Sequence, residues 1–141
     1  MSGQTIDFPL NYSPTDDEEF MNPRQLEYFR RRLAAWKREI LRGAETTLKI
    51  LQAETLGEPD PADRAASETD WSIELRARDR QRKLIAKIDA ALRRIDDGDY
   101  GYCEMTGEPI SLRRLEARPI ATMTLEAQER HERKEKISRD T

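Results

Sequence analysis

Two carboxylates three residues apart stand in the stretch Glu58-Pro59-Asp60-Pro61-Ala62-Asp63-Arg64-Ala65. Acids at that spacing can meet basic residues of a partner or stand beside a metal-bearing loop. They also have a plain structural use. Asp60 can N-cap a helix beginning at Pro61, and Asp63 is a favourable charge in its first turn. On the residues alone the structural use is the stronger reading. Further on, Arg76, Arg80, Lys83 and Lys87 recur at i, i+4, i+7 and i+11, which puts them on one helical face. Such a row is ordinarily a solvated face. It also has the chemistry to bind a phosphorylated ligand or an acidic partner surface.

The candidates for covalent or metal chemistry are few. His131 is the single histidine and sits in a run of Glu, Arg and Lys, as solvated residues do. Cys103 is the single cysteine and has no histidine near it in sequence. The chain has no Gly-rich phosphate loop, no His-Glu-x-x-His and no serine elbow, so it reads as a binding protein and not an enzyme. A structural zinc site takes four thiolate or imidazole ligands, which one Cys and one His cannot supply. The turn Tyr102-Cys103-Glu104-Met105-Thr106-Gly107 nevertheless has the outline of a zinc knuckle lacking its second ligand.

The composition limits what can position these groups. Only 36% of the 141 residues are hydrophobic while 38% are charged, so no thick multilayer core can be filled. An extended helical pair needs only two apolar positions per heptad and remains open to such a chain. The net charge of -3 shows the two signs mixed. No apolar run reaches membrane-spanning length, the N-terminus lacks the pattern of a secretory signal, and the lone cysteine makes no internal disulfide. The expectation is a soluble cytoplasmic protein. A pI near 5.4 argues against a dedicated duplex-DNA binder.

The pattern along the chain predicts a mainly α protein. Residues 1–20 read as an N-terminal arm, flexible or packed on the rest, with Ile6, Phe8, Leu10 and Tyr12 alternating before the acidic run Asp16 to Glu19. Residues 21–100 read as an antiparallel helical hairpin with its tip near 57–66. Asn22-Pro23 is a good N-cap and first helical residue. The expected first seam is Leu26, Phe29, Leu33, Trp36, Ile40, Gly43, Thr47 and Ile50, with Gly57 and Pro59 ending the helix. The expected second seam is Trp71, Leu75, Arg78, Arg82, Ile85, Ile88, Leu92 and Ile95, ending near Asp97-Gly98-Asp99. A short link makes the two helices antiparallel neighbours, and about thirty residues of helix reach roughly 45 Å. Residues 101–141 read as a small knob, then a charged helix whose N-cap is Thr124.

The stretches Gln25-Leu26 with Phe29-Arg30-Arg31, Asp60 to Ala65, Glu74 to Ile85, Tyr100 to Glu104 and Arg113 to Pro119 together resemble the DksA/TraR family of transcription factors, which bind bacterial RNA polymerase. They cover most of the chain after residue 20. The resemblance implies a long antiparallel coiled-coil hairpin, a small C-terminal zinc-finger-like knob and a terminal helix. It implies that the hairpin enters the polymerase secondary channel, with Asp60, Asp63 and Ala65 acting near the active centre. Promoter open complexes are then shortened, ribosomal RNA promoters repressed and some amino-acid biosynthesis promoters activated. The stringent-response effector ppGpp strengthens the effect through positions matching Arg80 and Lys87.

Two departures from the family pattern follow. The four zinc cysteines of the family match Cys103, Thr106, Thr124 and Ala127, so zinc is not expected and no cofactor is required. Packing of Tyr100, Tyr102, Ile110, Leu112, Leu115, Ile120 and Met123 is expected to hold the knob instead. A third basic ppGpp contact is matched by Gln128, which implies weaker effector binding. Other readings are a transcript-cleavage-type secondary-channel factor and a structural coiled-coil adaptor. Arg78 and Arg82 in the second seam disfavour a long dimer interface, so a monomer is expected, with no sequence-specific DNA binding.

Overall fold

A computed structural model describes Pro9 and residues 11–56 and 61–140. Among the described residues the helices follow in the order α1 Pro23–Leu56, α2 Pro61–Asp97, α3 Leu112–Ala117 and α4 Leu125–Asp140. Ile6, Phe8, Leu10, Gly57, Pro59 and Asp60 lie outside the described residues. Among the described residues no helix is long and apolar enough to cross a membrane.

The helix ends follow local chemistry. Asn22 Oδ1 accepts from the backbone N–H of Arg24 (2.9 Å) and Gln25 (3.0 Å), and Pro23 opens α1. At the end of α2, Gly98 takes φ 85°, and the N–H groups of Gly98 and Asp99 return to the carbonyls of Ile95 and Arg94. That is a Schellman motif, which satisfies carbonyls the helix leaves open. The Ser111 side chain accepts from Arg114 N–H to cap α3. Thr124 Oγ1 accepts from Ala127 N–H at 3.2 Å, the cap anticipated for α4.

The chain divides into two units, Ala34–Asp89 and the two segments that flank it. In the first, α1 and α2 pair antiparallel, and Lys37 Nζ meets Asp89 Oδ1 at 2.8 Å. The half-buried positions include Trp36, Ile40, Ala44, Thr47, Leu48 and Leu51 on α1, and Trp71, Glu74, Ala77, Arg78, Gln81, Leu84 and Ile85 on α2, with Ile88 fully buried. This corrects the expected seams. Gly43 and Ile50 are exposed, and their places are taken by Ala44 and Leu51. Leu75 is 54% exposed and the Arg82 side chain 82% exposed, while Glu74 and Gln81 turn inward. A strict heptad count drifts from a 3.6-residue helix by about 20° per repeat, so the inward phase slips by one position beyond Ile40. Gln81 Oε1 is buried there with no hydrogen-bond partner among the described residues. Nothing lies within 4 Å of a Cβ at Gly43, and one turn on Thr46 and Thr47 hydroxyls bond back to the carbonyls of Arg42 and Gly43.

In the second unit the base of the hairpin carries the apolar core. Phe29, Leu33, Ile95, Tyr100, Ile110, Leu112 and Leu115 are buried. Full burial of a side chain such as Phe29 stabilises the fold by about 1.5–3 kcal/mol. Of the side chains expected to hold the knob, Tyr102, Ile120 and Met123 are half-buried rather than buried. Arg30 meets Asp96 at 3.0 Å, so the helices are antiparallel here too: 30 and 96 have the same sum as 37 and 89. The described part of the N-terminal arm packs on this unit. The buried Gln25 amide accepts from Met21 N–H at 2.7 Å and donates to Thr15 O at 3.3 Å, and Phe20 meets the Tyr102 ring edge-on. Tyr12 O–H donates to Glu18 Oε1; burial, then this carboxylate, pushes the phenol up to about 12.

Met21 itself takes φ 52° and lays its side chain over Gly101. Gly101 has φ +92°, and a Cβ there would fall 2.8 Å from Met21 Cγ. Gly101→Ala therefore combines backbone strain with a clash, and is expected to lower unfolding stability by about 1–3 kcal/mol. Chemical denaturation with an unchanged midpoint would contradict this reading of the contact.

Candidate functional site

The residues singled out by sequence fall in separate places. Asp63 lies in the first turn of α2, and Asp60 is outside the described residues. Ala65 is exposed, and its carbonyl accepts from the Thr69 hydroxyl at 3.1 Å. Arg76, Arg80, Lys83 and Lys87 are all exposed on α2. Gln128 is on α4, in the other unit, where its amide donates to Glu132 Oε1 at 3.0 Å. His131 Nε2 stands 3.0 Å from Glu135 Oε1 on the same helix, and among the described residues it belongs to no group placed to hold a metal ion. The structure thus keeps the α2 row together as one face of one helix.

It also brings together the four positions around Cys103. The Cys103 thiol is buried. Burial by itself raises a thiol pKa, but the Thr106 hydroxyl and the backbone N–H groups of Thr124, Met105 and Thr106 point at the sulfur and bring it down to about 7. Thr124 caps α4 through Ala127 N–H, and Ala127 is buried beside it. One thiol, two hydroxyls and a methyl are a donor set that does not fit a structural zinc ion, which takes thiolate and imidazole ligands. Among the described residues, no group of three or more His, Cys, Asp and Glu side chains is placed to hold a metal ion.

Hydrogen bonds across the loops do the holding. Cys103 N–H donates to Glu108 O at 2.7 Å, Gly107 N–H to Cys103 O at 2.8 Å and Glu104 N–H to Thr122 O at 2.8 Å. Arg94 donates to the carbonyls of Asp99 (3.0 Å) and Tyr102 (2.6 Å) and stands 3.7 Å from Glu104. Arg114 Nε donates to Met123 O at 2.9 Å, and Tyr100 O–H to Pro119 O at 2.7 Å. Burial pushes the Tyr100 hydroxyl well up, which keeps it a donor. Glu116 Oε2 takes bonds from Tyr28 O–H and Arg32, both at 3.0 Å, and so ties α3 to α1. Sequence reading missed Arg94, Arg114, Glu116 and Gln25 as structural groups. The one signal for Arg94 was its place in the last turn of α2, where a cation suits the helix end.

Two family descriptions match the chain. "DnaK suppressor protein DksA, N-terminal domain" matches residues 25–95, and "Prokaryotic dksA/traR C4-type zinc finger" matches residues 98–133. A protein of Caulobacter vibrioides named RNA polymerase-binding transcription factor DksA is 66% identical over 130 residues, 92% of each chain. The protein of that name from Escherichia coli K12 is 46% identical over 125 residues, 89% of this chain and 83% of the relative. The solved structure of transcription factor DksA2 from Pseudomonas aeruginosa superposes with a TM-score of 0.76 at 41% identity, covering 83% of this chain and 90% of that one. These likenesses agree with a helical hairpin carrying a finger-like knob.

The thiol environment gives a prediction with a definite sign. The folded state favours the thiolate, so this contribution to stability is present above the ordinary thiol pKa of 9.0 and fades as pH falls through about 7. Ultraviolet thiolate absorbance is expected to titrate with a midpoint near 7 in the folded protein, returning toward 9.0 in denaturant. A folded midpoint equal to the denatured one would contradict the hydrogen-bonded thiolate.

Proposed function

The chain belongs to the DksA/TraR family, and from that premise we propose that it is a regulator of bacterial RNA polymerase that acts through the polymerase secondary channel. The observation that carries this is the 66% identity, over 92% of both chains, to a protein named as an RNA polymerase-binding transcription factor. The helical hairpin is the part that enters the channel. Asp60, Asp63 and Ala65 act at its tip, close to the catalytic centre. The regulator is not an enzyme and works as a cytoplasmic monomer.

Binding alone does not shorten the life of an open complex. A factor does so only by binding the states that lead away from it more tightly than the open complex itself. Two tip carboxylates brought close to the nucleic acid supply such a difference, because like charges at short range in a confined, partly dry channel repel strongly. Promoters with fragile open complexes, such as those for ribosomal RNA, are repressed. Some amino-acid biosynthesis promoters are activated. The effector ppGpp strengthens both effects through Arg80 and Lys87, whose exposed side chains suit phosphate. The neutral Gln128 makes that binding weaker than a third cation would.

The knob folds without zinc. Its loops are tied by Arg94, Arg114 and Tyr100 to backbone carbonyls, bonds that need no metal. Chelator treatment is accordingly expected to leave helicity and thermal midpoint unchanged, and a loss of helicity would end the zinc-free reading.

The main reading is tested by the lifetime of the open complex at a ribosomal RNA promoter. Wild type is expected to shorten it. Asp63→Asn is expected to bind polymerase with similar affinity but to lose most of the effect, on the order of tenfold if one charge-dependent contact of about 1.4 kcal/mol is removed. Equal activity of the two would take the tip out of the mechanism, and no effect by wild type would remove the polymerase reading.

A further inference from the structure

Inside the Ala34–Asp89 unit the seam between α1 and α2 changes character along its length. Toward Ala34 and Asp89 it is apolar, with Trp36 and Ile40 on α1 and Leu84, Ile85 and Ile88 on α2. Toward the tip Leu48 and Leu51 on α1 and Trp71 on α2 supply apolar surface again. Between these stretches the half-buried side chains are small or polar: Ala44 and Thr47 on α1, Ala77, Arg78 and Gln81 on α2. Gln81 makes the change costly. Its Oε1 is buried and has no hydrogen-bond partner among the described residues. A buried carbonyl in that state favours local opening, because water satisfies it once the seam parts.

The other helix is weakened at the same level. The pairs Lys37–Asp89 and Arg30–Asp96 share one register between α1 and α2. Carried along the hairpin, that register sets Gln81 level with Glu45, the middle residue of Gly43–Thr47. Gly43 has open space where a Cβ would stand, and the hydroxyls of Thr46 and Thr47 bond back to the carbonyls of Arg42 and Gly43. Glycine lowers helix stability relative to alanine, and back-bonding hydroxyls bend helices. A defect in one helix alone can be held in line by an intact partner. Here each helix carries its own, and the two face each other.

We propose that this level is a joint of the hairpin, a site of local opening about which the stretch nearer the tip swings relative to the stretch nearer Ala34 and Asp89. From Glu45 to the end of α1 at Leu56 is about 17 Å of helix, so a bend of about 10° carries that end sideways by about 3 Å. A shift of that size decides whether a carboxylate is within hydrogen-bond reach of a partner. Resting on the polymerase reading given above, the use of the joint is to let the tip settle at the catalytic centre after the hairpin has entered the channel.

Hydrogen exchange on the free full-length chain tests the joint. Fraying from the tip alone makes exchange slow steadily along each helix away from the tip. A joint adds a local maximum. The amides of Thr46, Thr47, Gln81 and Arg82 are expected to exchange about tenfold or more faster than those of Leu51 and Gln52, which lie nearer the tip. Gly43→Ala/Gln81→Leu, which restores a helix former and removes the unmet carbonyl, is expected to slow the four amides about tenfold or more and leave those of Phe29 and Leu33 unchanged. Exchange that slows steadily from the tip in the wild type overturns the proposal, and so does a maximum that the double variant leaves in place. With polymerase, the double variant is expected to bind with wild-type affinity but to shorten open-complex lifetime about threefold less; equal shortening overturns the use assigned to the joint. A wild-type chain without effect on open complexes would remove the polymerase reading, while the exchange maximum would still decide whether the joint exists.

Discussion

The base of the hairpin depends on one buried phenol. Tyr100 is 2% exposed, its ring lies 5.5 Å from that of Phe29 on α1, and its hydroxyl donates to Pro119 O at 2.7 Å. A phenol can be buried at low cost only where its polar end finds a partner. The one chosen here belongs to the segment that leads into α4. The ring is therefore inserted in an apolar core while its tip ties a distant loop to the end of α2. Phe29, Ile110 and Leu115 pack at zero exposure in the same unit, so this contact organises the core rather than decorating it.

Around that centre the knob is fastened by many moderate bonds. Arg94 and Arg114 reach backbone carbonyls, and the loop amides of Cys103, Glu104 and Gly107 close on neighbouring carbonyls. Each bond of this kind is worth about 1 kcal/mol net, and more when the donor is charged. A metal-nucleated finger makes folding depend on the free metal concentration. On the zinc-free reading proposed above, a finger of hydrogen bonds and packing carries no such dependence. The knob's one thiol, Cys103, has its charge held by the Thr106 hydroxyl and by the backbone of Thr124, Met105 and Thr106.

Local chemistry was legible in the sequence wherever it was self-contained. Asn22-Pro23, Gly98 and Thr124 each act on backbone within a few residues, and each sits where its type implies. The hairpin and its antiparallel sense were legible from two apolar periodicities and a short link. The seams were not, beyond Ile40 and around Leu75 and Arg82, because an assumed heptad repeat accumulates phase error in a straight helix. Gln25 reads as a polar surface residue until the N-terminal arm covers it, and Arg94 as a helix-end cation until the loop folds back over it. Such roles depend on partners that local pattern does not reveal. The functional reading of Asp63 and Ala65 rests on family likeness, since spacing alone favoured a capping use for the aspartate. The nearness of Thr106 and Thr124 to Cys103 was likewise implied by likeness before the geometry displayed it.

Gly43 gives α1 a mechanical property that its burial pattern conceals. A glycine inside a helix costs about 1 kcal/mol relative to alanine and leaves the backbone open to water. Here no neighbouring side chain shields it, and the hydroxyls of Thr46 and Thr47 draw on the carbonyls of the preceding turn, a pattern that bends helices. The turn from Arg42 to Thr47 thus combines two features that weaken or bend a helix. A helix that contains such a turn yields there first when it is bent, as a beam yields at its weak section.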